Sequence, residues 1–206
     1  MKNKLARVFP VFEHINIPNA ITTMGLAFGI ATCYFLTQAD LRMAVICLFF
    51  AGVMDAVDGF AATKLNQQSK FGGHVDTLVD FFTCCIIPVW MVFDLFGFVP
   101  SLVVGLVFYS TCGLWRLAYY NITEGTKYFT GLPVPGSMMF ITIAVWCVHV
   151  YGAPEWLLAV AFFCVGTLMI SGFKLPKYGL WQKVMGFSGL AFLMLIIFEP
   201  WLQLGN

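Results

Sequence analysis

Four aspartates, Asp55, Asp58, Asp76 and Asp80, stand in the stretch "MDAVDGFAATKLNQQSKFGGHVDTLVD" between two long apolar runs. Asp55 and Asp58 are three residues apart near the end of one run, and Asp76 and Asp80 are four apart near the start of the next. On helices each pair shares a face, and an antiparallel hairpin brings the two faces together. Clustered carboxylates repel one another, and an acid near mid-membrane costs about 2.5–3.5 kcal/mol on insertion scales. The basic residues near in sequence, Lys64, Lys70 and His74, are too few for a fourfold salt-bridge network. A divalent cation is the better counter-charge. Hard oxygen ligands suit magnesium, manganese or calcium, whereas zinc or copper would recruit His or Cys. Gly59, Ala62, Gly72 and Gly73 leave the backbone beside the acids uncovered. That suits close approach of a bulky polar ligand, and it equally suits tight packing of membrane helices.

The elements that position these acids are membrane spans. The chain is 60% hydrophobic and 10% charged, with a mean hydropathy of +0.87, far from a soluble domain's composition. A bilayer-crossing helix takes roughly 20 apolar residues, and runs near that length lie at 19–37, 41–63, 73–96, 101–119, 134–151, 155–172 and 181–200. The fold class is therefore all-α, a polytopic transmembrane helix bundle of six to eight spans, seven by this reading. Residues 1–18 form an N-terminal or interfacial segment and 19–206 a single transmembrane domain. The N-terminal segment reads either as an amphipathic stretch lying in the interface or as a plain topogenic tail, and it lacks the pattern of a removed signal peptide. Net charge of +1 without a basic stripe argues against a nucleic-acid partner. The seven cysteines show no metal-site spacing and read as small packing residues. With the N-terminus cytoplasmic, ten of the eleven basic residues fall on that side and only Arg42 on the other, a strong positive-inside bias. All four aspartates then face the cytoplasm. A cation transporter would need acids spread through the membrane depth, which the other spans lack.

The pattern resembles the CDP-alcohol phosphotransferase family, whose signature is D-x2-D-G-x2-A-R-x8-G-x3-D-x3-D. Asp55, Asp58, Gly59, Ala62, Gly72, Asp76 and Asp80 fall in register, and Thr63 stands at the Arg position. The resemblance implies a CDP-linked lipid that gives its phosphatidyl group to an alcohol while CMP leaves. It also implies two divalent ions, Mg2+ or Mn2+ with Ca2+ as an alternative, held by Asp55, Asp58, Asp76 and Asp80. Asp80 doubles as the base in that scheme, and two-metal phosphoryl chemistry fits it. Donor contacts would come from Asp55, Gly59, Ala62, Thr63, Ser69, Gly72 and Asn19; the alternative for Asn19 and Thr22 is helix capping. A homodimer in the cell membrane, with the site facing the cytoplasm, also follows from the resemblance and the charge bias.

"STCGLWRLAYYNITEGTKYFTGLPVPGSMMF" and "SGFKLPKY" are similar to segments of the bacterial and archaeal phosphatidylserine synthases of that family. The acceptor implied is L-serine, with Arg116 as a bidentate clamp on its carboxylate and Lys127 beside it. Arg116 has an alternative role as a snorkelling charge, and Lys127, Lys174 and Lys177 as headgroup contacts. Glycerol phosphate, inositol and inositol phosphate are the alternative acceptors; the phosphorylated ones need a concentrated anion site. Two departures stand out. Thr63 removes a cation expected near the diphosphate or the aspartates, for which Lys64 is a candidate substitute. "FFTCCIIPVW" after Asp80 differs from the synthases' usual run and points to an altered acceptor pocket.

Overall fold

A computed structural model of the chain describes residues 8–123, 128–176 and 180–203. Helix α1 (Ile17–Thr37) begins two residues before the expected span because Asn16, extended at φ −131° and ψ 179°, accepts the Asn19 N–H, with Pro18 in the first turn. Asp40 caps α2 (Leu41–Lys64) by accepting the Met43 N–H at 2.9 Å. Ser69 does the same for α3 (Lys70–Asp80) through the Gly72 N–H at 3.0 Å, so this helix starts three residues earlier than apolar patterning places it.

Past Asp80 the chain stays helical but changes bonding. Phe81–Ile86 is π-helical, and α4 (Ile87–Phe96) then runs to Gly97, whose φ of 69° ends it. Helices α5 (Pro100–Ile122), α6 (Val134–Tyr151), α7 (Trp156–Ile170) and α8 (Leu180–Gln203) follow. All seven expected spans are thus helical. Among the described residues, Ile17–Thr37, Leu41–Lys64, Lys70–Phe96, Pro100–Ile122 and Val134–Tyr151 are long and apolar enough to cross a membrane, while Trp156–Ile170 and Gly186–Phe198 are shorter apolar helices.

Two segments expected as loops contain strands. Tyr128–Thr130 (β1) pairs antiparallel with Lys174–Pro176 (β2), Phe129 opposite Leu175. Gly131 continues the join by donating to Phe173 O at 2.8 Å. At φ +72° a Cβ there would lie 2.2 Å from Met169 O, so only glycine fits.

Leu36, Leu48, Ile87, Met91, Tyr109, Ile141 and Phe162 are central members of the buried core. Small residues let the helices close on it: a Cβ on Gly29 would meet Thr83 Cγ2 at 2.9 Å, and one on Gly166 would meet Phe108 at 3.1 Å. Since successive spans alternate in direction, the start of α1, the α2–α3 turn, the end of α5 and the ribbon share one end of the bundle. Ahead of α1, Val8, Phe9, Val11 and Phe12 are exposed around a 3-10 turn at Pro10–Glu13, the apolar face an interfacial segment requires. Lys2, Lys4 and Arg7 lie outside the described residues.

Candidate active site

The hairpin of α2 and α3 places Asp55, Asp76 and Asp80 so that one carboxylate oxygen from each lies within 4.8 Å of the others. Asp80, 9% exposed, is the most enclosed of the three. Counted at 1.5 Å per residue from Lys70, it lies roughly 15 Å along its helix, about half the thickness of a hydrocarbon core. Asp58 does not join this group. It is buried, and its Oδ2 accepts a short hydrogen bond from Thr22 Oγ1, a hydroxyl on α1 that also donates to Pro18 O at 3.1 Å. Asp58 still sits close enough to Asp55 and Asp76 to interact with both electrostatically. Three hard oxygen donors this close at this depth fit a divalent cation, since like charges in a low dielectric need a counter-charge. Asp55, Asp76 and Asp80 are the residues that would hold it.

A polar cavity of about 770 Å³ opens from the cluster toward the capped helix ends. Asn19, Gly59, Ala62, Ser69 and Gly72, all expected to contact the donor, line it. Asn19 is buried inside α1 and does not cap it; its Nδ2 donates to His14 O at 2.8 Å. A Cβ on Gly72 would lie 2.6 Å from Asn19 Oδ1, so glycine here keeps the two helices at their present approach. Ser69 and Gly72 are joined by the cap bond. Residues that patterning missed also line the cavity, among them Gln67, Tyr120 and Asn121. Gln67 pins the turn to α1, its carbonyl accepting from Asn16 Nδ2 at 3.1 Å and its Oε1 from Ile17 N at 3.3 Å. Only the Asn16-x-Pro18 cap pattern hinted at this.

Thr63 is exposed and turned to its own helix, donating to Gly59 O at 3.1 Å and accepting from Gln68 Nε2 at 3.2 Å. Lys64, the candidate substitute, has its Nζ 5.5 Å from the centroid of the Phe60 ring. Lys70 and His74 line the polar cavity instead.

A second cavity, about 890 Å³, lies between α2, α6 and α8 with Asp55 in its wall. Val45, Leu48, Met138 and Leu190 give it an apolar lining. Gly52 and Gly189 keep it open: a Cβ at Gly189 would come within 3.2 Å of Met139 Sδ and Phe49 Cε2.

Arg116, on the last turns of α5, is 8% exposed, and its Nε has no hydrogen-bond partner. It acts electrostatically on Asp80 and on Cys85. A buried guanidinium with an unpaired Nε–H has a donor left to offer a ligand. Lys127 and Lys177 lie outside the described residues, and Lys174 is exposed on β2.

The CDP-alcohol phosphatidyltransferase family profile matches residues 15–170, most of the chain. The chain belongs to that family. Its relatives include the CDP-diacylglycerol–serine O-phosphatidyltransferase of Methanocaldococcus jannaschii, 26% identical over 171 residues that make up 83% of this chain and 79% of the relative. The Bacillus subtilis enzyme of the same name is 28% identical over 165 residues, 79% of this chain and 90% of the relative. An archaetidylserine synthase from Methanothermobacter thermautotrophicus is 28% identical over 173 residues, 81% and 72% of the two chains. Family membership adds a general dependence on divalent metal to the geometric argument from the three carboxylates, and the helices make this a multi-pass membrane protein.

Proposed function

We infer that the protein transfers a phosphatidyl group from CDP-diacylglycerol to L-serine, giving phosphatidylserine and CMP. The observation that carries this reading is the position of the acid cluster between a polar and an apolar cavity, in a chain whose relatives are serine phosphatidyltransferases. A donor with a nucleotide at one end and acyl chains at the other needs such a divided site. Its CDP half lies along Asn19, Gly59, Ala62, Ser69 and Gly72, and its acyl chains enter between α2, α6 and α8. Lys70, in the wall of the polar cavity, supplies positive charge near the diphosphate in place of the signature arginine.

Two Mg2+ or Mn2+ ions, held by Asp55, Asp76 and Asp80 with Asp58 beside them, would supply charge neutralisation of the diphosphate. The protein's own groups perform the rest. Arg116 holds the serine carboxylate through its free Nε–H, orienting the hydroxyl toward Asp80. Asp80 takes the hydroxyl proton as the serine oxygen bonds to the lipid-side phosphorus and the bond from that phosphorus to the CMP oxygen breaks. The buried guanidinium neutralises one negative group. Glycerol phosphate and inositol phosphate carry more charge than it can match, which favours serine.

The membrane is the cell membrane and the cluster faces the cytoplasm, as the bias of ten basic residues to one side supports. Two copies pair in it, to be checked by the mass of the purified particle. The functional test is CMP release by purified protein from CDP-diacylglycerol, with serine, glycerol 3-phosphate, inositol phosphate or inositol offered in turn. Release is expected with serine alone, abolished by a chelator and restored by Mg2+ or Mn2+. Turnover with another acceptor and none with serine overturns the assignment.

A further inference from the structure

The segment after Asp80 is bonded unusually, and within it one buried carbonyl lacks its helical donor. Pro88 has no N–H, so Cys84 O, four residues earlier, loses the donor that an α-helix would give it. Cys84 is buried, 1% exposed, where an unpaired carbonyl is costly. The missing donor comes from another helix: Tyr109 Oη on α5 donates to Cys84 O at 2.8 Å. Around this point the chain is π-helical, and the Ile87 N–H reaches back five residues to Phe82 O.

The wider turn matters because it joins two fixed bodies. On its far side Ile87, Met91 and Val92 are locked in the core. On its near side α3 carries Asp76 and Asp80. Replacing the π turn by an α turn would rotate α3 against α4 by about one residue, roughly 100°, and swing both acids away from Asp55. We propose that Tyr109 is a positioning residue for Asp80: its hydroxyl replaces the N–H that Pro88 lacks and thereby holds the π-helical register that aims Asp80 into the cluster. This rests on Asp80 being the base. The rest of the Tyr109 side chain packs independently, its ring edge-on to Phe162 at 5.2 Å and 86°.

Three variants test the proposal in the full-length enzyme. Tyr109→Phe keeps the ring and removes only the hydroxyl; kcat is expected to fall ten- to a hundredfold, on the order of the cost of a small misplacement, with the KM for CDP-diacylglycerol within about twofold. Amide hydrogen exchange across residues 81–89 is expected to speed up in the same variant. Adding Pro88→Ala returns an N–H within reach of Cys84 O, and the double variant is expected to recover most of the lost kcat and the slow exchange. Phe162→Leu, which loosens the other side of the ring, is expected to lower the melting temperature and leave kcat within about twofold. Wild-type kcat in Tyr109→Phe, or no recovery in the double variant, overturns the proposal. Asp80→Asn run in parallel separates the two readings: if it keeps turnover the base assignment fails, whereas an inactive Asp80→Asn beside a fully active Tyr109→Phe overturns only the positioning role.

Discussion

The two cavities that border the acid cluster are of similar size, about 770 and 890 Å³, and of the helices that line them they share only α2. Helix ends build the polar one: the first turns of α1 at Pro18, Asn19 and Thr22, the Ser69 cap, the Gln67 turn and the end of α5 at Tyr120 and Asn121. The apolar one is built along helix flanks, where glycines at 52 and 189 replace side chains that would close it. Helix α2 serves both through residues three apart, Asp58 lining the polar cavity and Asp55 the apolar one. A single helix can border two environments this way because a spacing of three turns the side chain by only about 60°. The difference teaches that the cluster is a partition between a polar and an apolar space, which is where the proposed reading puts the bond to be broken.

The largest effect tests the partition itself. Asp80→Asn removes the proposed base and should lower CMP release by about a thousandfold, while CMP still binds the polar cavity; loss of CMP binding in proportion would show that Asp80 builds the cavity and does not act in the reaction. On the polar side alone, Gly72→Val drives a side chain into Asn19 Oδ1. Overpacking of this kind costs about 1–3 kcal/mol, so inhibition by CMP should weaken by roughly tenfold or more, with no dependence on the donor's acyl length. Gly189→Phe should do the reverse. Filling the apolar cavity should raise KM several-fold for long-chain CDP-diacylglycerol and hardly at all for a short-chain donor, with CMP inhibition unchanged; equal effects on both donors would detach this cavity from the acyl chains. The smallest change is expected from Thr63→Arg, which restores the signature cation at an exposed position. A partly screened charge contributes about 0.2–1 kcal/mol, so donor KM should fall no more than about fivefold, and less as salt is raised.

The acid cluster was legible because helical spacing is a strict rule: spacings of three and four on adjoining spans can converge only one way. The seven helical segments were legible for the same reason, apolar length being a coarse signal that survives errors of a few residues. What patterning missed was set by single contacts. Asn16 and not Asn19 caps α1, which depends on where the chain turns extended. "YFT" and "KLP" are too short for an alternating pattern to mark them as strands, and each becomes one only by meeting the other. The run "FFTCCIIP" reads as ordinary helix; its π turn contains a carbonyl that Pro88 leaves without a donor and that a hydroxyl more than twenty residues away, at Tyr109, satisfies. Asp58 matches the signature spacing, and one of its two oxygens also accepts from Thr22, a partner on α1 to which the α2–α3 spacing does not point.

That last bond has a consequence for biosynthesis. Chains emerge from the N-terminus, so Thr22 is already in the bilayer when Asp58 arrives, and the acid enters beside a hydroxyl ready to receive it. Asp76 and Asp80 follow into a place already marked by Asp55. The order in which the ribosome delivers these residues spreads the electrostatic burden of insertion over successive helices, and Asp58 meets its donor Thr22 on a helix made before its own.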